Sequence, residues 1–340
     1  MVRQQAAVIG AGSWGTALAK MLSDKGCGVN LWAHRPEHAA EIIAFRENRT
    51  YLPGFKLGEL LHATGNLEQT VAGRRMVLMV VPSHGFRQVF RQLLPYLLND
   101  TYVISAVKGI ENDTLMTMDQ VMADELARLA HPPSLHLGVL AGPSFAREVA
   151  AEVPTAVAVA CATLEEARFC QQFFNAPFFR VYASTDVIGM ELSGALKNIV
   201  AIGAGICDGL GYGTNTRAAL ITRGLAEIAR LGVKMGAQPL TFSGLAGLGD
   251  LVLTCTGDLS RNRQVGLKLG EGKKIDDIVA EMQMVAEGVK TTKSAWHLAR
   301  REQVEMPILE QVYRVIYEDL DCGAAVKILL ARSLKEEIEF

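Results

Sequence analysis

The chain predicts an α/β domain, residues 1–186, followed by an all-helical domain, residues 187–340. Three observations carry this reading. Short β-branched runs alternate with amphipathic stretches from residue 5 to about 183. After about Thr185 the β-runs stop and only helical periods remain. A glycine turn, Gly10-Ala11-Gly12-Ser13-Trp14-Gly15, separates the first run from the first amphipathic stretch. Strand and helix in alternation mean a parallel sheet with helices on both faces. Most of the runs are continuously apolar, as strands covered on both faces should be.

The expected strands are Ala6–Ile9, Val29–Trp32, Met76–Val81, Tyr102–Ala106, Leu135–Leu140, Thr155–Ala160 and Phe178–Tyr182. Between them the period predicts helices over Thr16–Lys25, Pro36–Arg46, Phe86–Leu98, Leu115–Leu129 and Leu164–Phe174. The second half predicts helices over Met190–Ile206, Arg217–Leu231, Asn262–Leu269, Ile275–Met282, Val289–Arg301, Pro307–Tyr317 and Cys322–Arg332.

Composition narrows the function classes. The 340 residues are 49% hydrophobic and 21% charged, enough for two cores in an ordinary globular chain. A net charge of -2 with no basic stripe argues against nucleic acid as a partner. Six cysteines without a CxxC pair predict free thiols in a reducing, cytoplasmic compartment. The longest solid apolar run, Met76–Val81, is too short to cross a bilayer, and MVRQQAAVIGAG lacks the apolar core of a signal peptide. No transmembrane segment is expected.

The glycine turn has the strand before it and the helix after it that a dinucleotide site needs. Gly10 permits the tight turn, Gly12 lets backbone reach a pyrophosphate, and Gly15 allows close packing of helix on strand. The helix N-terminus then faces the anion. This is a Rossmann-type arrangement. The second strand ends in His34-Arg35, with no acid to hold a ribose 2′-hydroxyl. A cation there suits a 2′-phosphate, so NADP(H) is expected to be preferred and NAD(H) remains possible. A solvated loop is the plainer alternative. His34 and His38 are four apart, but Pro36 leaves His34 outside the helix and no third ligand is evident, so no metal is expected.

Ligands in such sheets sit beyond the carboxyl ends of the strands. Lys108-Gly109 and Gly142-Pro143-Ser144 stand there. Lys108 is a candidate for holding an anion. Ser144 either donates to a substrate oxygen or caps a helix beginning at Phe145.

In the helical half, Lys197 shares a helix face with Ser193, Gly194, Ala201 and Gly205. Such a face usually means close packing, yet a lysine buried there is costly without a partner. Facing a cleft, it suits general acid/base work, because desolvation lowers its pKa toward neutrality. Asn198 beside it can steady the lysine or a substrate. The stretch Gly244–Asn262, GLAGLGDLVLTCTGDLSRN, has too many glycines for a structural helix. It reads as backbone close to a ligand, with Asp250 as partner to Lys197 or to a substrate hydroxyl. Thr254-Cys255-Thr256-Gly257 reads as a turn. Ser260-Arg261-Asn262 at a helix start can hold a phosphate, or Ser260 alone can be a cap.

Together GAGSWGTALA, ELSGALKN, GLAGLGDLVLTCTG, SRNRQVG and VAEGVKTTK resemble bacterial-type NAD(P)-dependent glycerol-3-phosphate dehydrogenase, from Ala6 to about Arg332. The resemblance implies reversible reduction of dihydroxyacetone phosphate to sn-glycerol 3-phosphate, which feeds glycerophospholipid synthesis. It implies Lys197 as proton donor and acceptor. It implies Lys108, Gly142, Ser144, Asp250, Ser260, Arg261 and Asn262 around the substrate. It implies Ser13, Trp14, His34, Arg35, Lys108, Ala146, Arg261, Val285 and Glu287 around the cofactor. Spacing alone leaves Glu287 a solvated acid before Gly288. Helical second domains in such enzymes often dimerise, so a homodimer is expected. Two alternatives remain: a dehydrogenase of another hydroxy acid, and a non-catalytic NADP-sensing protein.

Overall fold

The computed structural model describes residues 4–282, 286–334 and 336–337. The chain divides into two compact units, 1–107 with 118–187, and 108–117 with 188–340. The first is built on an eight-stranded sheet. Its strands are β1 (Gln5–Ile9), β2 (Gly28–Trp32), β5 (Leu61–Thr64), β6 (Met76–Met79), β7 (Thr101–Ser105), β8 (Leu135–Ala141), β9 (Thr155–Cys161) and β10 (Phe179–Ser184). A small hairpin, β3 (Glu47–Asn48) and β4 (Leu52–Lys56), precedes β5. The helices of this unit are α1 (Ser13–Asp24), α2 (Pro36–Phe45), α3 (Leu67–Val71), α4 (Ser83–Leu93), α5 (Met118–Ala127), α6 (Ala146–Ala150) and α7 (Leu164–Phe174).

The sheet order is β10-β9-β8-β7-β6-β1-β2-β5. All neighbours are parallel except β8 and β9. The fully parallel sheet expected from the sequence is therefore corrected at one pair. The cause is the connection. The link between the two strands, residues 142–154, holds only the five-residue α6 and no long helix of the kind that usually crosses the sheet face in a parallel unit. The chain therefore returns as an antiparallel neighbour. The core strands are apolar as predicted: Ala6 to Ile9 and Val77 to Met79 are fully buried. Each fully buried Leu, Ile or Val contributes about 1.5–3 kcal/mol.

The second unit is helical: α8 (Val187–Gly209), α9 (Thr214–Lys234), α10 (Asp250–Thr256), α11 (Arg261–Gly270), α12 (Ile275–Ala280), α13 (Glu287–Arg301), α14 (Pro307–Tyr317) and α15 (Cys322–Leu330). Its centre is α8, buried from Gly189 through Cys207. By length and composition α8 can cross a membrane, but 83% of its apolar window is buried within the protein, as in a core helix. The segment 108–117 joins this unit: Ile110 lies in its core and accepts a hydrogen bond from Ser294 Oγ at 3.3 Å.

The glycine-rich stretch before Asp250 is a single π turn, Leu245–Gly249, leading straight into α10. Thr254, Cys255 and Thr256 are helical, and only Gly257 stands outside as the cap. The turn expected there is corrected. Leu251 and Cys255 are fully buried, and the Thr254 and Thr256 hydroxyls donate to the carbonyls of Asp250 (2.6 Å) and Val252 (2.8 Å). Burial of this face decides for helix, while the glycines are spent on the turn ahead. A Cβ on Gly247 would lie 2.1 Å from the Phe242 carbonyl oxygen.

Glycines also bring α8 and α11 into backbone contact. A Cβ on Gly205 would meet the Arg263 carbonyl oxygen at 2.0 Å, and one on Gly266 the Ile202 carbonyl oxygen at 1.9 Å. We predict that Gly266→Ala destabilises the protein by about 2 kcal/mol or more. Gly85→Ala, in α4 with open space around it, should be neutral or stabilising by up to ~1 kcal/mol. Urea unfolding reads both; a Gly266→Ala midpoint equal to the parent's would contradict the seam.

Candidate functional site

In the first unit the glycine turn lies at the carboxyl end of β1. Gly10 has φ +124°, and a Cβ there would sit 2.6 Å from the Val80 carbonyl oxygen. A Cβ on Gly15 would collide with the Gly10 carbonyl oxygen at 1.9 Å, so α1 begins directly against the turn. Gly12 is the N-cap of α1 with no side-chain cap, and the space beyond its Cα is open. Below the turn, buried Asn48 donates to Ala11 O (2.9 Å) and Thr16 Oγ1 (2.8 Å). His38 Nε2 bonds Asn48 Oδ1 at 3.0 Å, which explains this histidine without a metal. Ser13 Oγ donates to Tyr51 O at 2.6 Å, and Trp14 Nε1 is buried with no hydrogen-bond partner among the described residues. Uncapped backbone N–H groups under an open, glycine-floored space fit a pyrophosphate.

His34 and Arg35 follow β2 and are exposed, with Arg35 as the N-cap of α2. Gly142 follows β8 at φ +142°, where a Cβ would meet Val157 Cα at 2.9 Å. Ser144 does not cap a helix: α6 begins at Ala146 with Phe145 as N-cap, and the Ser144 hydroxyl donates to Gly142 O at 2.9 Å. That capping alternative is corrected, because the tight turn at Gly142 captures the hydroxyl first.

In the second unit three charges meet. The Asp250 carboxylate, 1% exposed, accepts from Lys197 Nζ on one oxygen and from Lys108 Nζ on the other at 2.6 Å. Lys197 Nζ also donates to Thr254 Oγ1 at 2.7 Å. Thr254 stands one turn after Asp250 in α10, so one helix face supplies both acceptors. Burial pulls the Lys197 pKa down from 10.5 to about 7; Asp250 opposes this and Lys108 adds to it. Among the described residues two of the three ammonium donors are committed, which leaves one for a ligand oxygen.

Beside this cluster, Asn262 Nδ2 donates to Asn198 Oδ1 at 3.0 Å, and Asn262 Oδ1 accepts from Gly288 N at 3.0 Å. Asn198 neighbours Lys197 in α8, and its amide reaches Lys108 O at 3.5 Å. Ser260 is buried and caps α11 by accepting from Arg263 N at 3.2 Å. Arg261 makes no hydrogen bond or ion pair among the described residues. Surrounding protein lowers its pKa and the nearby Glu287 charge opposes this.

The structure thus gathers Lys108, Lys197, Asp250, Ser260, Arg261, Asn262 and Glu287 into the helical unit. Gly10, Gly12, Ser13, Trp14, Gly15, His34, Arg35, Gly142, Ser144 and Ala146 lie in the sheet unit. Val285 lies outside the described residues. Sequence reasoning missed Thr254 and Gly288. A helical reading of Asp250–Thr256 would have placed Thr254 by its spacing of four. Gly288 carried no signal: a Cβ there would come 2.6 Å from Asn262 Oδ1, a contact only the fold reveals.

The charge arrangement predicts unequal costs. Asp250→Ala leaves two adjacent cations without their shared carboxylate and should cost about 3–5 kcal/mol. Lys197→Met leaves Asp250 paired with Lys108 and should cost less than ~1.5 kcal/mol. Urea titration at pH 7 measures both, and the reverse order would refute the bridging role.

Comparison with known proteins agrees along the whole chain. Residues 5–167 match the family profile described as NAD-dependent glycerol-3-phosphate dehydrogenase N-terminus, and residues 186–327 match the corresponding C-terminus. A glycerol-3-phosphate dehydrogenase of Desulfotalea psychrophila is 60% identical over 331 residues, covering 97% of this chain and 98% of that one. Its counterpart in Syntrophobacter fumaroxidans is 55% identical, covering 98% and 97%. Both are named as NAD(P)+ enzymes. The crystal structure of glycerol-3-phosphate dehydrogenase from Coxiella burnetii superposes with a TM-score of 0.92 at 42% identity, covering 97% of this chain and 99% of that one. The chain belongs to the NAD-dependent glycerol-3-phosphate dehydrogenase family.

Proposed function

We propose that this protein catalyses the reversible NAD(P)H-dependent reduction of dihydroxyacetone phosphate to sn-glycerol 3-phosphate, with Lys197 giving and taking the proton. One observation carries the reading: a buried lysine of near-neutral pKa sits on a carboxylate shared with a second lysine, beside a helix start whose Arg261 makes no hydrogen bond or ion pair among the described residues. The chemistry needs a proton source at one carbon and a cationic hold on a phosphate, and these residues are of those types.

Residues 1–186 would bind the dinucleotide and 187–340 would hold the substrate and the acid/base group. Gly10, Gly12 and Gly15 shape the turn for the pyrophosphate, with Ser13, Trp14 and Ala146 near it. His34 and Arg35 would take a 2′-phosphate, favouring NADP(H). Lys108, Arg261 and Glu287 would also meet the cofactor. When bound, the nicotinamide supplies or accepts the hydride at C2 of the substrate.

In reduction, the C2 oxygen gains negative charge as the carbonyl opens. Protonated Lys197 then breaks one N–H bond and an O–H bond forms on that oxygen. In oxidation, neutral Lys197 takes the hydroxyl proton back. Asp250 and Thr254 hold Nζ in place, so the remaining donor is aimed without reorganisation. Lys108, Gly142, Ser144, Asn262 and Ser260 complete the proposed substrate set, and Arg261 supplies the fork to the phosphate. Six buried free thiols accord with action in the cytoplasm, and we take the enzyme to be a homodimer.

The test is absorbance decay of NADPH, then NADH, with purified protein and dihydroxyacetone phosphate. Decay that requires the phosphate substrate is expected, faster with NADPH. Binding of NADPH without turnover would favour a sensor, and turnover only on a carboxylate substrate would favour another dehydrogenase. Lys197→Ala should bind cofactor normally and lose at least ~100-fold in turnover. Because Lys197 is neutral above about 7, oxidation of glycerol 3-phosphate should rise with pH through about 7, and the reduction rate should fall over the same window. Flat profiles across pH 6–8 would remove Lys197 from the proton transfer.

A further inference from the structure

We propose that Asp208 is a positioning residue that sets the start of α11 for phosphate binding. The proposal rests on the reading of Arg261 and Asn262 as phosphate ligands. Asp208 stands in the last turn of α8, where a negative charge opposes the helix dipole and serves its own helix badly. Its carboxylate, 8% exposed, is spent on two other helices. Oδ1 accepts from Arg217 Nε at 3.0 Å near the start of α9, and Oδ2 accepts from Arg263 Nε at 2.8 Å near the start of α11.

The first turn of α11 carries Arg261 and Arg263 and no acid. Two cations at a helix N-terminus repel the dipole and each other. Asp208 neutralises one of them and draws Arg263 toward α8, with exposed Asp258 on its other side at 3.0 Å. Arg261 is thereby left without a hydrogen bond or ion pair among the described residues, with only the Glu287 charge nearby. The same anchor fixes the residue next to Asn262, whose side chain joins Asn198 and Gly288. Losing Asp208 would free Arg263 to compete for the anion and loosen the helix start, while the Lys197–Asp250 pair, in other contacts, stays in place.

The experiment is steady-state kinetics of the full-length Asp208→Asn enzyme with NADPH, with inorganic phosphate as competitor of dihydroxyacetone phosphate. The KM for the substrate and the Ki for phosphate should both rise about 10-fold, with kcat changed less than about 3-fold. In an Arg261→Ala background the same substitution should add less than about 3-fold to KM, because the two act as a unit. An unchanged KM, or an equal factor in both backgrounds, would overturn the proposal. If Asp208→Asn does not yield folded protein, Arg263→Lys, which keeps the charge and loses the fork, is read by the same criteria. An Arg261→Ala enzyme with unchanged KM sinks the phosphate reading and this proposal with it. An Arg261→Ala effect without an Asp208→Asn effect sinks this proposal alone.

Discussion

One buried carboxylate governs the helical unit. Asp250 is almost wholly withdrawn from water and holds a lysine ammonium on each oxygen. A lone carboxylate in that place would be protonated or expelled, and either lysine alone would be too costly to bury. The trio is tolerable because one negative charge is shared between two positive ones. Burial makes Lys197 give up its proton far more easily than in water; the Asp250 charge opposes this, and the second cation, Lys108, adds to it. The same excess positive charge suits an anionic substrate.

The scaffold around the trio is built for close approach. The π turn Leu245–Gly249 delivers Asp250 to the beginning of α10, where its carboxylate also suits the helix dipole. The glycines of α8 and α11 remove the side chains that would keep those helices apart, so Asn262 reaches Asn198 beside Lys197. In the sheet unit the buried Asn48, held by His38, secures the glycine turn from beneath. Each unit thus uses buried polar side chains to fix backbone at its glycine-rich or helix-start segments.

Much of this was legible in the sequence. Continuous apolar runs placed seven strands of the sheet, because burial on both faces leaves little freedom in residue type. The change of period near residue 186 marked the onset of the helical elements. Strand β5, with exposed His62, and the short hairpin before it were not legible, since edge and surface pairings carry no apolar pattern. The antiparallel β8–β9 pair was hidden because direction depends on the length of a connection and not on strand composition. Lys108 stood out as a cation after a strand, but its bond to Asp250, 142 positions away, is a property of the fold. Thr254 was hidden by reading glycine and threonine as a turn, where burial of Leu251 and Cys255 makes a helix.

The central claim is that Lys197 titrates near neutrality while bound to Asp250. The most direct test is NMR titration of protein carrying 13C at lysine Cε, compared with the same titration of Lys197→Arg. The account predicts one lysine signal moving with a midpoint near pH 7, absent from the variant. If every lysine signal instead moves together near the unperturbed value of about 10.4, the buried pair does not tune the proton and the account fails.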